Sequence, residues 1–250
     1  MIDLAGHVAL VTGGSRGIGR AATLLLARAG ADVALTFHTR ADEAEAAARD
    51  VRGLGRRAYV GGGDLSDPEM VDRLMAGVRR EFGALDIFVA NAGVWPAEEL
   101  PLKDMPVSRW RRTLAANLDS VFLSTRAALG LMRPGGRVVI VSSTAGQRGE
   151  AFHADYAATK GALIAFTKSL AVEFAPELTV NCVAPGWVDT DMSLPAFTQD
   201  NRQRIERSIP LQRIASAEDV AGPILFLCTG LARHITGEVL NVNGGSVLCG

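Results

Sequence analysis

"HVALVTGGSRGIGRAATLLLARAG", residues 7–30, is the stretch that settles the architecture. Residues 7–13 are rich in Val and Leu and run straight into glycines, as a strand ending in a turn does. From Gly17 the apolar residues fall at helical spacing, and Gly30 stands where a C-terminal cap belongs. Strand, glycine turn and helix in this order predict the first half of a βαβ unit. The turn reads T-G-x-x-x-G-x-G, with Gly13, Gly17 and Gly19 as its fixed points. Such a turn lets backbone approach a pyrophosphate without a Cβ in the way, and aims a helix N-terminus at negative charge. The spacing departs from the G-x-G-x-x-G of the commoner dinucleotide fingerprint, and a purely structural turn is the alternative. Its place at the first strand–helix junction favours a cofactor.

The pattern continues along the chain. Runs at 32–37 (DVALTF), 58–63 (AYVGGG), 86–93 (DIFVANAG), 137–143 (RVVIVSS), 178–186 (LTVNCVAPG) and 238–245 (EVLNVNGG) bring the predicted strands to seven. Continuous apolar strands suit a parallel sheet covered on both faces. Helical patterns lie between them, at 17–30, 41–55 and 66–83 among others, the last with a Ser or Asp cap and a stop at Gly83. This alternation builds right-handed βαβ units. The predicted fold is α/β, a doubly wound seven-stranded parallel sheet with helices on both faces. One domain spans 1–250, with a cofactor half over about 1–140 and a catalytic and substrate half over about 141–250. "LMRPGG" before the fifth strand reads as a tight turn. The least regular part, 187–215, follows a strand's C-terminal end, where such folds place substrate loops.

Composition narrows the function classes. A formal net charge of −1 gives no electrostatic reason for nucleic acid or anionic lipid as a partner. No apolar run approaches the length of a membrane span, and the N-terminus lacks the basic, then apolar, order of a signal peptide. Cys182, Cys228 and Cys249 are sparse and form no C-x-x-C pair, against a disulfide framework or metal site. A soluble cytoplasmic protein without a metal is expected.

The choice of dinucleotide turns on the end of the second strand. An NAD site usually has an acid there, about 20 residues past the turn, on the ribose 2′-OH. Here Phe37 is followed by His38, Thr39 and Arg40. With Arg16 in the turn, His38 and Arg40 could meet a 2′-phosphate, a task suited to the forked, permanently charged guanidinium. Read singly these are surface cations; together with the missing acid they favour NADPH. After the third strand, Asp64 could bond the adenine amino group with Leu65 packed nearby, or Asp64 could simply start the next helix.

"DYAATKGALIAF", residues 155–166, carries the chemistry. The chain has two tyrosines and three lysines, yet Tyr156 and Lys160 stand on one helical face at i and i+4. An exposed, weakly coupled pair is the bland alternative. As a working pair, a nearby ammonium favours the phenolate and lowers a tyrosine pKa of about 10. The tyrosine then serves as acid towards a carbonyl oxygen or base towards an alcohol. Ser143, at the end of the fifth strand, could hold the same oxygen, although alone it reads as a turn residue.

These residues resemble the short-chain dehydrogenase/reductase family over essentially the whole chain. The likeness rests on Thr12 to Gly19, Asp64-Leu65, Asn91-Ala92-Gly93, Asn117, Ser143, the Tyr156-to-Lys160 run and Pro185-Gly186, in order and at family-like separations. It implies a Rossmann fold and a catalytic set of Asn117, Ser143, Tyr156 and Lys160. By that resemblance Tyr156 moves the proton and Ser143 orients the substrate oxygen. Lys160 bonds the nicotinamide ribose and lowers the Tyr156 pKa, while Asn117 supports a water-linked relay. The cofactor lies along Gly13, Ser15, Arg16, Gly17, Ile18 and Gly19, beside Asn91, Ala92 and Gly93. The resemblance also assigns Pro185 and Gly186 to the cofactor site, with Val188 at the nicotinamide carboxamide and Thr190 where the family contacts a cofactor phosphate or amide. Ser143 rather than its neighbour Ser142 is chosen by the 13-residue gap to Tyr156.

Within the family the chain looks most like the 3-oxoacyl-[acyl-carrier-protein] reductase branch, from "GSRGIGR", "PGWVDTDM" and "ITGEVLNVNGG". That implies a small-molecule or carrier-linked carbonyl substrate and a homotetramer. An NAD-dependent alcohol or sugar dehydrogenase is the first alternative, and a dinucleotide-binding regulator without chemistry the second. Trp95 and Trp187 bring bulk near the site, by packing or by substrate contact.

Overall fold

Alternation within each strand decides where the core goes. In a computed structural model, which describes residues 2–249, Val8 and Leu10 of strand β1 (Val8–Val11) face one side, and Ala9 and Val11 the other. The same division holds in β4 (Leu85–Ala90), where Phe88 joins the first set and Ile87 and Val89 the second. Both faces must therefore be covered. Helices α1 (Gly17–Arg28) and α9 (Ala217–Leu227) close one side over Leu26, Val89, Val139 and Ile224. On the other side α3 (Pro68–Phe82), α5 (Ser120–Leu129) and α7 (Ala154–Glu173) pack over Leu10, Leu74, Phe88, Ile140 and Leu163. Each such Leu or Ile, fully buried, contributes about 1.5–3 kcal/mol relative to exposure.

The remaining elements are β2 (Asp32–Phe37), α2 (Ala41–Gly53), β3 (Ala58–Gly62), α4 (Val107–Leu114), β5 (Met132–Val141), α6 (Thr144–Arg148), β6 (Thr179–Pro185), α8 (Gln199–Ser208) and β7 (Val239–Val242). Among the described residues the strands form one seven-stranded sheet, in the order β3-β2-β1-β4-β5-β6-β7. Every pairing is parallel. The doubly wound sheet expected from the sequence is the sheet observed. The strand order reverses between β1 and β4, which opens a crevice at their C-terminal ends. Among the described residues no helix is long and apolar enough to cross a membrane.

Two local readings differ from the structure. β5 begins at Met132, which pairs with Leu85, and pairing resumes only at Arg137 with Ile87. Pro134 brings no N–H to a ladder, so residues 133–136 bulge out as the expected turn inside the strand. The stretch 187–215 is less irregular than its composition suggests, since it contains α8. Ile205, Ile209 and Ile214 form a small core of their own there, with Trp187 and Phe197 packed against it.

Candidate active site

The glycine turn is built by its neighbours. Thr36 Oγ1 accepts from the Gly13 N–H at 3.0 Å, and the Gly14 N–H reaches the Thr36 carbonyl at 3.0 Å. From the other side Asn91 Nδ2 donates to the carbonyls of Thr12 (3.0 Å) and Gly13 (3.3 Å), while Thr12 Oγ1 accepts from the N–H groups of Asn91 and Ala92, both at 3.0 Å. Asn91 and Ala92 thus fasten the end of β4 to the turn. A Cβ on Gly19 would overlap the Gly13 carbonyl oxygen, so the helix can start this close to the strand only with glycine there. α1 has no side-chain cap and no acid in its first turn. Its first N–H groups lack intrahelical partners and carry the positive end of the helix dipole, which fits a bound pyrophosphate. Ser15 is buried and Ile18 half-buried within this cradle.

At the end of β2 no carboxylate follows Phe37, and His38 and Arg40 are exposed. Arg40 pairs with Glu43 at 2.9 Å, and Arg16 reaches across to Asp191 at 3.2 Å. Exposed pairs of this sort are worth about 0–1 kcal/mol, a small obstacle to a phosphate. Asp64 Oδ1 accepts from both the Ser66 N–H (2.9 Å) and hydroxyl (2.8 Å), which hold the carboxyl below its usual range. The helix itself is capped by Asp67, whose side chain accepts from the Glu69 N–H. Leu65 is buried beside Asp64.

Tyr156 and Lys160 sit in the first and second turns of α7, and both are buried. Lys160 Nζ donates to the Val141 carbonyl at 2.9 Å and lies 5.7 Å from the Tyr156 ring centroid. Ser143 ends the β5 segment and caps α6, its Oγ accepting from the Ala145 N–H at 3.1 Å. Ser142 points elsewhere, its hydroxyl donating to the Lys160 carbonyl at 2.7 Å.

The electrostatics correct one expectation. Burial pushes the Tyr156 phenol up to about 12, opposed by a hydrogen bond to Ser143 and assisted by the nearby Glu150 charge. Burial also brings Lys160 down to about 8. The lysine cation does not lower the tyrosine as the spacing suggested, because its ammonium is turned to Val141 and desolvation of the phenol outweighs it.

Asn117 also differs in detail. It lies in a π-helical turn, Ala115–Asp119, of the kind often found at functional sites, and is fully buried. Its Oδ1 accepts from the Val94 N–H (2.7 Å) and its Nδ2 donates to the Val94 carbonyl (2.9 Å). The side chain therefore fixes the loop after β4. Gly93 lets that side chain approach, since a Cβ there would crowd Asn117 Oδ1 at 2.8 Å. Pro185 closes β6 and Gly186 follows it, its N–H donating to the Val242 carbonyl at 3.1 Å. Val188 is buried and bridges to Ala215. Thr190 packs towards Gly17, joining the loop after β6 to the glycine turn.

All these residues collect at the C-terminal edge of one sheet, around the crevice. A family model described as "Enoyl-(Acyl carrier protein) reductase" matches residues 13–246. The 3-oxoacyl-[acyl-carrier-protein] reductase FabG of Aquifex aeolicus (strain VF5) is 40% identical over 248 residues, 98% of this chain and 98% of that protein. The chain belongs to the short-chain dehydrogenase/reductase family. Two solved short-chain dehydrogenases superimpose closely. One, described as "Short-chain dehydrogenase/reductase SDR:Glucose/ribitol dehydrogenase" from Brucella melitensis, has a TM-score of 0.92 and 31% identity, covering 99% of each chain. Another, from Burkholderia cenocepacia J2315 and in complex with NADP, has a TM-score of 0.91 and 39% identity, covering 97% of this chain and 98% of that one. Membership makes this short-chain dehydrogenase/reductase an oxidoreductase, from a family that binds NAD(P).

Some residues of this reductase site escaped the sequence reading. Asp155, directly before Tyr156, is fully buried and accepts from Thr113 Oγ1 (2.7 Å) and Arg109 Nε (3.1 Å). Burial works to raise its carboxyl, and the bonds from Thr113, Arg109 and the Tyr156 N–H outweigh that, leaving it below the usual range. Glu150 and His153 stand between Ser143 and Tyr156, with Trp95 Nε1 donating to Glu150 Oε1 at 3.0 Å. The one available signal was an acid directly before Tyr156, inside the run 155–166.

Proposed function

We propose that this enzyme reduces a carbonyl to a secondary alcohol with NADPH, the substrate being a 3-oxoacyl thioester or a related ketone. The observation that carries the reading is the buried pair Tyr156 and Lys160 with the half-buried Ser143 hydrogen-bonded to the Tyr156 phenol, in a fold whose helix α1 starts uncapped after the glycine turn. NADPH, when bound, supplies a hydride to the carbonyl carbon. Tyr156, held protonated through the neutral range with its phenol near 12, donates the proton to the carbonyl oxygen. Ser143 holds that oxygen with its hydroxyl. Lys160 and Asn117 shape the surroundings, the one a buried cation and the other a brace for the loop after β4. Gly13 to Gly19 would hold the phosphates, Asp64 and Leu65 would meet the adenine, and Asn91 to Gly93 would steady the central strand beside the cofactor. Val188 would meet the nicotinamide carboxamide and Thr190 a cofactor phosphate or amide, in the segment that begins with Pro185 and Gly186.

Preference for NADPH is supported by the missing acid after β2 and by Arg16, His38 and Arg40 around that point. A protonated tyrosine suits reduction more than alcohol oxidation, which needs the phenolate. Carrier-linked substrates are suggested by the names of the reductase relatives. The dehydrogenase reading keeps one observation in its favour, the sugar-alcohol activity named for the Brucella melitensis neighbour. Three free cysteines suit a cytoplasmic setting.

Tyr156→Phe tests the assignment. It should reduce turnover of a ketone panel that includes acetoacetyl thioesters by at least about 100-fold, a typical share for acid–base catalysis. NADPH binding, followed by fluorescence, should be unchanged. Retained turnover in that variant would sink the role of Tyr156.

A further inference from the structure

Residues 149–153 join α6 to α7, and so join Ser143 to Tyr156. This short loop is held in an unusual way. Phe152 has φ 66°, the left-handed region that a non-glycine side chain resists, and its carbonyl accepts from the Leu100 N–H at 3.1 Å. His153 is buried and stacked on Trp95, with centroids 4.8 Å apart, and Trp95 meets Trp187 edge-on at 5.9 Å. The effect is to fix Glu150, which accepts from Trp95 Nε1 at 3.0 Å, on the wall between the two residues assigned to the carbonyl oxygen.

Glu150 keeps 26% of its side chain exposed, so it can be reached from the crevice. It is faced by Trp95, His153, Arg148, Asp155 and the Tyr156 phenol. Among the described residues no Lys or Arg comes within ion-pair distance of it; only His153 Nδ1 approaches, at 3.6 Å. Glu150 stands just before the start of α7, which carries Tyr156, and burial raises its carboxyl above the usual range while the bond from Trp95 and the charges of His153 and Arg148 act to lower it. A substrate carbonyl seated on Tyr156 brings its α-substituents into the same field.

We propose that Glu150 is a charge filter on the substrate, admitting uncharged and cationic ketones and excluding 3-oxo acids in their free, anionic form. The assignment rests on the carbonyl-reductase reading. Like charges a few ångströms apart in a half-buried site repel by far more than they do in water. An ester or thioester of a 3-oxo acid escapes that repulsion, and an amino ketone gains from it.

The test uses three small methyl ketones that differ in charge: ethyl 3-oxobutanoate, 3-oxobutanoate and aminoacetone. The holoenzyme should show kcat/KM for the ester at least about tenfold above the free acid, equivalent to about 1.4 kcal/mol, with the amine at or above the ester. Glu150→Gln and Glu150→Ala should each bring the ester-to-acid ratio within about threefold. A ratio unchanged in both variants overturns the filter. Binding of 3-hydroxybutanoate and its ethyl ester to the NADPH complex, by tryptophan fluorescence, reads the same preference without turnover. If no ketone is reduced but the ester still binds tighter and Glu150→Gln removes the difference, the filter stands and the reductase reading falls. Equal binding of acid and ester overturns the filter on its own.

Discussion

At the scale of single residues, Lys160 is the one held most at odds with its surroundings. It is 4% exposed, and burial takes it from 10.5 to about 8. At about 1.4 kcal/mol for each pH unit, that lowering opposes folding by roughly 3 kcal/mol while the amine is charged in both states. Below pH 8 the whole cost is present. Between about 8 and 10.5 the folded protein has released a proton that the unfolded chain retains, so stability rises with pH across that window. Lys160→Met is therefore expected to be inactive and, at pH 7, more stable to urea than the parent, by about 2 kcal/mol once the lost bond to Val141 is counted. The advantage should shrink as the pH passes from 8 to 10.5; a pH-independent difference would show that the charge is not its source. Tyr156 and Lys160 were legible because rare residue types stood at a helical interval. The direction of the Tyr156 shift was not, because sequence names a partner but does not say which way its ammonium points.

At the scale of elements, the catalytic helix is clamped by a neighbour. Arg109 on α4 and Asp155 on α7 form a buried ion pair, and Arg109 Nη1 also donates to the Glu98 carbonyl at 2.8 Å. Arg109 Nη2 and Asp155 Oδ1 are buried without partners among the described residues, so the pair is imperfectly compensated. Removing one member strands the other. Asp155→Ala should cost about 3–5 kcal/mol, whereas Arg109→Met with Asp155→Leu should cost far less. Calorimetry reads this as a fall in Tm on the order of 10 °C for the single variant and little for the double. Equal losses would mean that side-chain volume, and not charge, holds α4 to α7. Nothing in the sequence paired positions 46 apart. The seven strands were readable because each is a short apolar run, and all but the second are closed by Gly, Ser or Asn. α8 was not, since "QDNRQRIERS" is polar at nearly every position and is placed by Ile205 meeting Ile209, Ile214, Trp187 and Phe197.

At the scale of the whole molecule, α7 is apolar on its outer side too, with Ala158, Ala165 and Val172 exposed and Val172 at 83%. Lys168 and Ser169 are exposed among them, and α5 adds an exposed Phe122, so the apolar residues form a patch of the kind that suits a protein partner. We propose that copies of the chain meet through this patch, the homotetramer expected from the resemblance being one such assembly. Val172→Glu should shift the sedimentation of the parent assembly to smaller species while the far-ultraviolet spectrum stays the same; an unchanged sedimentation coefficient places the contact elsewhere. The one-sheet architecture was visible in advance, whereas packing of copies leaves only this faint mark in the sequence. The ion pair between Arg16 and Asp191 spans 175 positions and ties the glycine turn to the loop after β6. Asp191 thus acts as a tethered competitor, occupying the guanidinium that a 2′-phosphate would seek. Its hold is a fixed effective concentration, and at up to about 1 kcal/mol it can weaken binding by about fivefold at most. Asp191→Asn should tighten NADPH by up to that factor in a fluorescence titration and leave NADH alone, whereas equal tightening of both would separate Arg16 from the phosphate. Salt screens rival and ligand together, so the parent enzyme's NADPH affinity should vary less with ionic strength than that of the variant.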